Sequence, residues 1–133
     1  MFSYRLESKD TFYDTLCEWW ADWKFPVVAI TSLPERIFVV SNDGVDLYAI
    51  PVYFDLKDCD LCWIGFVTGN KRSTKLQRDG ALEYLLDMVE LHMKNLGARI
   101  AMTVSGTPVL KRLYERSDYV ISAEGINEYI KKI

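Results

Sequence analysis

Lys71, Arg72, Lys75 and Arg78 fall within eight positions of one another, with Ser73 and Thr74 among them. Cations and hydroxyls at this density form charge-assisted hydrogen bonds to phosphate oxygens, so the stretch is a candidate anion site in a chain of net charge -3. The same run also reads as a solvated basic loop. It leads into Gly80 and Ala81, at the start of a strongly periodic helix. Loop amides entering a helix N-terminus bind anions through unpaired donors and the helix dipole. Cys59-Asp60-Leu61-Cys62 has the spacing of half a zinc or redox site. Zinc takes about four ligands; there is no second pair, and the single histidine, His92, lies midway along a helix. No metal is expected.

The elements that must position these residues follow from periodicity. Residues 2–7 read as a short strand, and Ser8 or Asp10 caps the helix after it. In that helix Phe12, Leu16, Trp19, Trp20 and Trp23 recur at three- and four-residue spacing, one apolar stripe that Pro26 ends. The tryptophans read as core, with Trp20 and Trp23 also able to border a substrate groove. Residues 27–36 are irregular. Residues 37–41 form a strand, Asn42-Asp43-Gly44 a tight turn, and 45–54 the return strand, where Pro51 marks a bulge or an exposed edge. Residues 61–68 are nearly all apolar, the pattern of a central strand covered on both faces. Leu82, Leu85, Leu86, Val89, Met93 and Leu96 make a second helical stripe, ended by Gly97. Residues 98–104 read as a strand, Thr107-Pro108 starts a helix reaching about Arg116, and 119–122 and 127–133 read as two last short strands. The closing β-α-β-α-β order implies right-handed crossovers on a mixed sheet.

A chain of 133 residues, 50% hydrophobic, can bury a core as one domain spanning 1–133. The acidic balance argues against a nucleic-acid binder. Three cysteines, an odd and low count, fit a reducing compartment better than a disulfide framework. The first residues lack the basic start and apolar run of a signal peptide, and no apolar stretch approaches the roughly 18 residues that span a bilayer. A cytoplasmic protein is expected, with no membrane or nucleic-acid partner.

The order of elements is similar to that of the GNAT acetyltransferases, over nearly the whole chain. The family's cofactor signature is Arg or Gln, two residues, Gly, one residue, then Gly or Ala, between a strand and a long helix. Gln77-Arg78-Asp79-Gly80-Ala81-Leu82 stands there. Gln77 and Gly80 match, with Leu82 at the second small position; one residue on, Arg78 and Ala81 match, with Glu83 there. Leu113-Tyr114-Glu115-Arg116-Ser117-Asp118-Tyr119 resembles the family's Leu-Tyr-Glu-Lys-x-Gly-Phe segment. Glu18-Trp19-Trp20, Leu33-Pro34-Glu35, Asn70 and Arg78-x-x-Ala81-Leu82 resemble small bacteriophage-encoded members in particular.

The resemblance implies an α/β (α+β) fold with a mixed, mostly antiparallel central sheet and helices on both faces. It implies an acetyl-CoA-dependent N-acetyltransferase whose amine acceptor, a small molecule or a protein, is not named by the sequence. The strand through Phe66, Val67 and Thr68 would hold the acetyl carbonyl and the pantetheine arm. Asn70, Lys71, Arg72, Ser73, Thr74, Gln77, Arg78, Gly80 and Ala81 would hold the phosphates. Tyr114 would protonate the departing thiolate, a role suited to a phenol with a pKa near 10. Tyr114 also shares a helix face with Leu110 and Leu113 and reads equally as a core tyrosine. Some relatives carry an acidic residue where Gly65 stands, so the resemblance assigns no general base. It allows a homodimer, and host cytoplasm if the chain is phage-encoded. A second reading is a catalytically degenerate GNAT-fold module that binds a host or virion protein.

Overall fold

The computed structural model describes residues 1–124, 129 and 131–133. Strand β1 (Phe2–Ser8) leads into helix α1 (Lys9–Trp23); a 3-10 turn at Ile30–Ser32 precedes β2 (Arg36–Asn42) and β3 (Val45–Tyr53). Then come β4 (Leu61–Ile64), β5 (Thr68–Gly69), the one-turn α2 (Lys75–Arg78), α3 (Ala81–Asn95), β6 (Ile100–Met102) and α4 (Pro108–Arg116). The sheet runs β1-β2-β3-β4-β6, with β5 also paired to β3. Every pairing is antiparallel except β4 with β6. The expected α/β class, with a mixed and mostly antiparallel sheet, is the observed one.

Alternation along the central strands builds a core on each face. Ile37 and Val39 of β2, with Ala49 of β3, are buried under Phe12, Leu16, Trp19 and Trp20 of α1. Phe38 and Val40, with Ile50, Val52, Cys62 and Ile64, face Leu85, Leu86, Val89 and Met93 of α3 and Leu113 and Tyr114 of α4. Full burial of each large side chain contributes about 1.5–3 kcal/mol. Ser8 caps α1 by accepting from the Asp10 amide, and Lys24 in the left-handed region closes it ahead of Pro26. Trp23, the last member of the α1 stripe, stays 38% exposed. Among the described residues no helix is long and apolar enough to cross a membrane.

Four expectations need correction. The stretch 61–68 is not one strand: Ile64 pairs with Val52, but Thr68 pairs with Ala49, so three residues (65–67) oppose two (50 and 51). That is a β-bulge. The bond from the Gly65 amide to the Pro51 carbonyl, 2.8 Å, still follows the β3–β4 register, so the extra residue falls at 66–67 opposite Ile50 and not in Pro51's own strand; Pro51 is buried in the sheet interior. The strand at 98–104 contracts to Ile100–Met102. Residues 119–122 are not a strand; Val120 and Ile121 are exposed, so their β-branched character has no sheet to satisfy. Residues 127, 128 and 130 of the expected strand at 127–133 lie outside the described residues.

Burial raises the pKa of Tyr48, Tyr53, Tyr114 and Tyr119 above the ordinary value of 10.0, with the Glu90 charge adding to the effect at Tyr119. In the unfolded chain these phenols release their protons near pH 10, while the folded state holds them to higher pH. Stability is therefore full below pH 10 and is lost as pH rises beyond it. Denaturant midpoints measured from pH 8 to 12 are expected to stay level to about pH 10 and then fall; a flat profile through pH 12 contradicts the burial of these rings.

Candidate active site

The bulge and the parallel pair together open a fork. β4 and β6 run side by side from Leu61 with Ile100 to Trp63 with Met102. The last tie is Thr103 Oγ1, which donates to the Ile64 carbonyl at 3.1 Å. Beyond it, one arm continues through the bulge to β5, which pairs only with β3, while the other turns away to Thr107, the cap of α4. Among the described residues no hydrogen bond joins 65–69 to 104–107. Phe66 and Val67 make no main-chain hydrogen bond there either. Two peptide units of the inner arm thus offer N–H and C=O groups to an extended ligand, as a sheet edge does to an added strand.

Gly65 leads into the bulge, still in register with Pro51. A Cβ there would lie 2.9 Å from the Pro51 carbonyl oxygen and 3.0 Å from the Tyr53 ring. The bulge also reverses the alternation: Ile64 and Val67 belong with the α3-side core, while Thr68 reaches Trp20 on the α1 side. The Trp20 indole donates to Thr68 Oγ1 at 3.1 Å, and the Trp23 indole to the Gly69 carbonyl at 2.9 Å. Both expected groove-border tryptophans are therefore anchors of the inner arm.

Beyond β5 the basic segment turns its side chains inward. Arg78 Nη1 donates to the Ser73 carbonyl at 2.6 Å, to Ser73 Oγ at 3.0 Å and to the Asn70 carbonyl at 3.2 Å. Ser73 Oγ donates to the Asn70 carbonyl, and Asn70 Nδ2 to the Asp46 carbonyl. Thr74 and Gln77 form a capping box for α2. Arg72 pairs with Asp22 at 2.9 Å, and Lys71 sits over the Trp23 ring and donates to the Asp22 carbonyl at 3.3 Å. The side chains expected to reach phosphates thus shape the loop and fasten it to α1. Of the four cations only Lys75, which is exposed, has no partner among the described residues. The remaining anion donors are main-chain groups. Gly80, at φ 77°, precedes α3 with no side-chain hydrogen bond, and among the described residues the amides of Ala81, Leu82 and Glu83 have no main-chain acceptor; Ala81 is fully buried, Leu82 half-buried and Glu83 exposed. Positive φ there favours glycine.

Tyr114 stands at the base of the fork. It is buried on the α3 side, with its hydroxyl 3.4 Å from Thr103 Oγ1. At 3.4 Å this contact is longer than the usual 2.5–3.0 Å of a strong O–H···O bond, and among the described residues the Tyr114 hydroxyl has no other hydrogen-bond partner. Burial pushes its pKa up, which keeps the proton on the oxygen at neutral pH. Core packing and a position at the fork coexist in this residue. Thr103 had no signal in the sequence, being one hydroxyl at a strand end; Trp20 and Trp23 did, as an aromatic stripe longer than one helix face needs. Cys59 is exposed and Cys62 buried, and among the described residues no cluster of metal-ligating side chains forms.

No protein-family model matches the chain, and no curated protein matches it in sequence. Solved structures do match in three dimensions over almost their full length. An aminoglycoside acetyltransferase from an uncultured soil metagenomic sample, in complex with sisomicin, has a TM-score of 0.68 at 13% identity, covering 99% of this chain and 96% of its own. Glucosamine-6-phosphate N-acetyltransferase from Arabidopsis thaliana has a TM-score of 0.64 at 13% identity, covering 98% and 99%. A transcriptional regulator from Bacillus halodurans has a TM-score of 0.71 at 13% identity, covering 98% and 100%. With its forked mixed sheet and its helices on both faces, this chain has a GNAT-like fold, shared with the two acetyltransferases and the regulator.

Proposed function

We propose that the chain is an acetyl-CoA-dependent N-acetyltransferase. The observation that carries this reading is the fork: a bulged arm with free peptide groups at Phe66 and Val67, leading to an uncapped helix N-terminus, with a protonated phenol at its base. The fit to acetyl-CoA is chemical at each point. A pantetheine arm is an extended chain with two amides, which the free groups of Phe66 and Val67 can pair. A pyrophosphate suits the amides after Gly80 that lack a main-chain acceptor, with Lys75 nearby in sequence. Bound there, acetyl-CoA supplies an activated acetyl thioester.

The chain's own contribution is largely positioning. The bulge aims main-chain groups into the fork, and Trp20 and Trp23 hold that arm still. Tyr114 keeps a proton at the point where the strands part. The transfer would balance as follows: the amine nitrogen would bond to the acetyl carbon as the carbon–sulfur bond breaks, the sulfur would take the Tyr114 proton, and the proton lost by the amine would return through water to the Tyr114 oxygen. The short matches to small bacteriophage-encoded members support a phage enzyme working in host cytoplasm.

Calorimetry with acetyl-CoA and desulfo-coenzyme A tests the reading, and no detectable binding at millimolar ligand rejects it. Within that experiment Arg78→Ala is expected to weaken binding about tenfold or more, because charge-assisted bonds of about 1.5–3 kcal/mol hold the loop shut. Arg72→Ala, which removes only an exposed ion pair, is expected to leave binding nearly unchanged. The reverse ranking means that Arg72 leaves Asp22 to contact the ligand.

A further inference from the structure

When Tyr114 gives its proton to sulfur, its oxygen becomes a phenolate on a side chain that is only 6% exposed. A charge so far out of water must be paired or hydrogen-bonded. Among the described residues no cationic side chain bonds to Tyr114, and its hydroxyl has one hydrogen-bond partner, Thr103 Oγ1 at 3.4 Å. The other titratable groups on this side bring no positive charge. Tyr119 lies beside it at 5.4 Å between ring centroids, and Glu90 of α3 and Cys62 of β4 act on Tyr119 in turn. A carboxylate and a thiolate oppose a phenolate rather than hold it.

Thr103 follows β6, and its Oγ1 stands between two acceptors. The Ile64 carbonyl is 3.1 Å away and the Tyr114 oxygen 3.4 Å. A hydroxyl has one proton and rotates freely, so it serves one of the two at a time. While the phenol is neutral, the nearer carbonyl is the better acceptor. Once the phenol has lost its proton the order reverses, because a hydrogen bond to an anion is about twice as strong as a neutral one and shortens to about 2.5–2.7 Å. The carbonyl then left without the Thr103 proton stands where the two arms part, within reach of water or of a ligand amide.

Resting on the acetyltransferase reading, we infer that Thr103 is a positioning residue of the transfer: its hydroxyl turns from the Ile64 carbonyl to the Tyr114 oxygen as sulfur is protonated, and turns back when water returns a proton to Tyr114. No atom or electron changes owner in this turn; one O–H changes direction. The same group ties the strands at rest and steadies the charge during the reaction. Burial raises the Tyr114 pKa and the Thr103 hydrogen bond lowers it, the sign expected of a donor to the phenolate.

The test reads the phenol itself. Tyr114 is replaced by difluorotyrosine, whose ring fluorines bring ionisation down into the range where the fold is stable, and the protein is titrated by fluorine NMR. Thr103→Val removes the hydroxyl and keeps the shape; Thr103→Ser keeps the hydroxyl. Thr103→Val is expected to move the midpoint up by about one pH unit or more, the size of a charge-assisted hydrogen bond, and Thr103→Ser to leave it near that of the parent. With tyrosine at 114, thiol release from acetyl-CoA is followed with hydroxylamine as acceptor. There Thr103→Val is expected to lower kcat about tenfold with little change in the KM for acetyl-CoA, and Thr103→Ser to retain most of the rate. Added to Tyr114→Phe, Thr103→Val is expected to cost little more, since no phenolate then forms. A midpoint that Thr103→Val leaves in place overturns the inference, as does an equal loss of kcat in both backgrounds, the mark of a merely loosened fork. A midpoint that moves with Tyr119→Phe and not with Thr103→Val gives the role to Tyr119 and also overturns it. Acetyl-CoA binding without thiol release, or with full kcat in Tyr114→Phe, overturns it while leaving the donor site standing; absence of acetyl-CoA binding overturns both.

Discussion

Tyr114→Phe is expected to lower turnover by about 10²–10⁴-fold, the usual cost of losing general-acid assistance, while acetyl-CoA affinity stays nearly intact. The selectivity follows from where the charge appears. Sulfur becomes negative only as the carbon–sulfur bond breaks, so a proton held at the fork's base stabilises the transition state and not the bound substrate. The substitution keeps the ring, which packs in the α3-side core beside Tyr119 at 5.4 Å between centroids. Among the described residues the hydroxyl it removes has one hydrogen-bond partner, Thr103 Oγ1 at 3.4 Å, so folding should change little. Steady-state rates set beside melting curves separate the two roles. Unchanged turnover would falsify the acid role; a large loss of thermal stability would make Tyr114 a structural residue.

Trp20→Ala is expected to destabilise the fold by about 3–5 kcal/mol, as loss of a fully buried large ring does. Trp20 is 3% exposed and packs with Phe12, Trp19 and Leu33. The substitution also leaves the Thr68 hydroxyl, 2% exposed, without its indole partner. An orphaned buried polar group costs about 1–3 kcal/mol more. Against the 5–15 kcal/mol that typically holds a domain together, the sum removes much of the margin. Urea titration measures it. A loss below about 1 kcal/mol would mean that Trp20 is not the anchor of β5 described here. Trp20→Phe keeps most of the packing and isolates the contribution of the N–H.

The two long helices were legible in the sequence because their stripes are regular and their ends are marked, α1 by Ser8 and Pro26 and α3 by Gly97. The first hairpin was legible from Asp43-Gly44. The bulge was not, because an apolar run such as 61–68 reads as one continuous strand in any register. Only the pairing with Val52 on one side and Ala49 on the other reveals the extra residue. The meaning of Gly65 was hidden for the same reason: its neighbours Pro51 and Tyr53 come from another strand. The basic cluster was visible as a cluster, but its partners were not. Asp22 lies fifty positions from Arg72, and the carbonyls that Arg78 binds have no side-chain signature.

The inward-turned loop also bears on the entropy of ligand binding. Asn70, Ser73, Thr74, Gln77 and Arg78 each hold a defined hydrogen bond within the protein. Immobilising a flexible side chain on association costs about 0.5–1.5 kcal/mol, and here folding has already fixed five of them. A basic loop that wrapped its ligand with free lysines and arginines would bear that cost at each encounter. In this chain the ordering comes with the fold, and an anion bound at the proposed site at the start of α3 would meet side chains that folding has already placed.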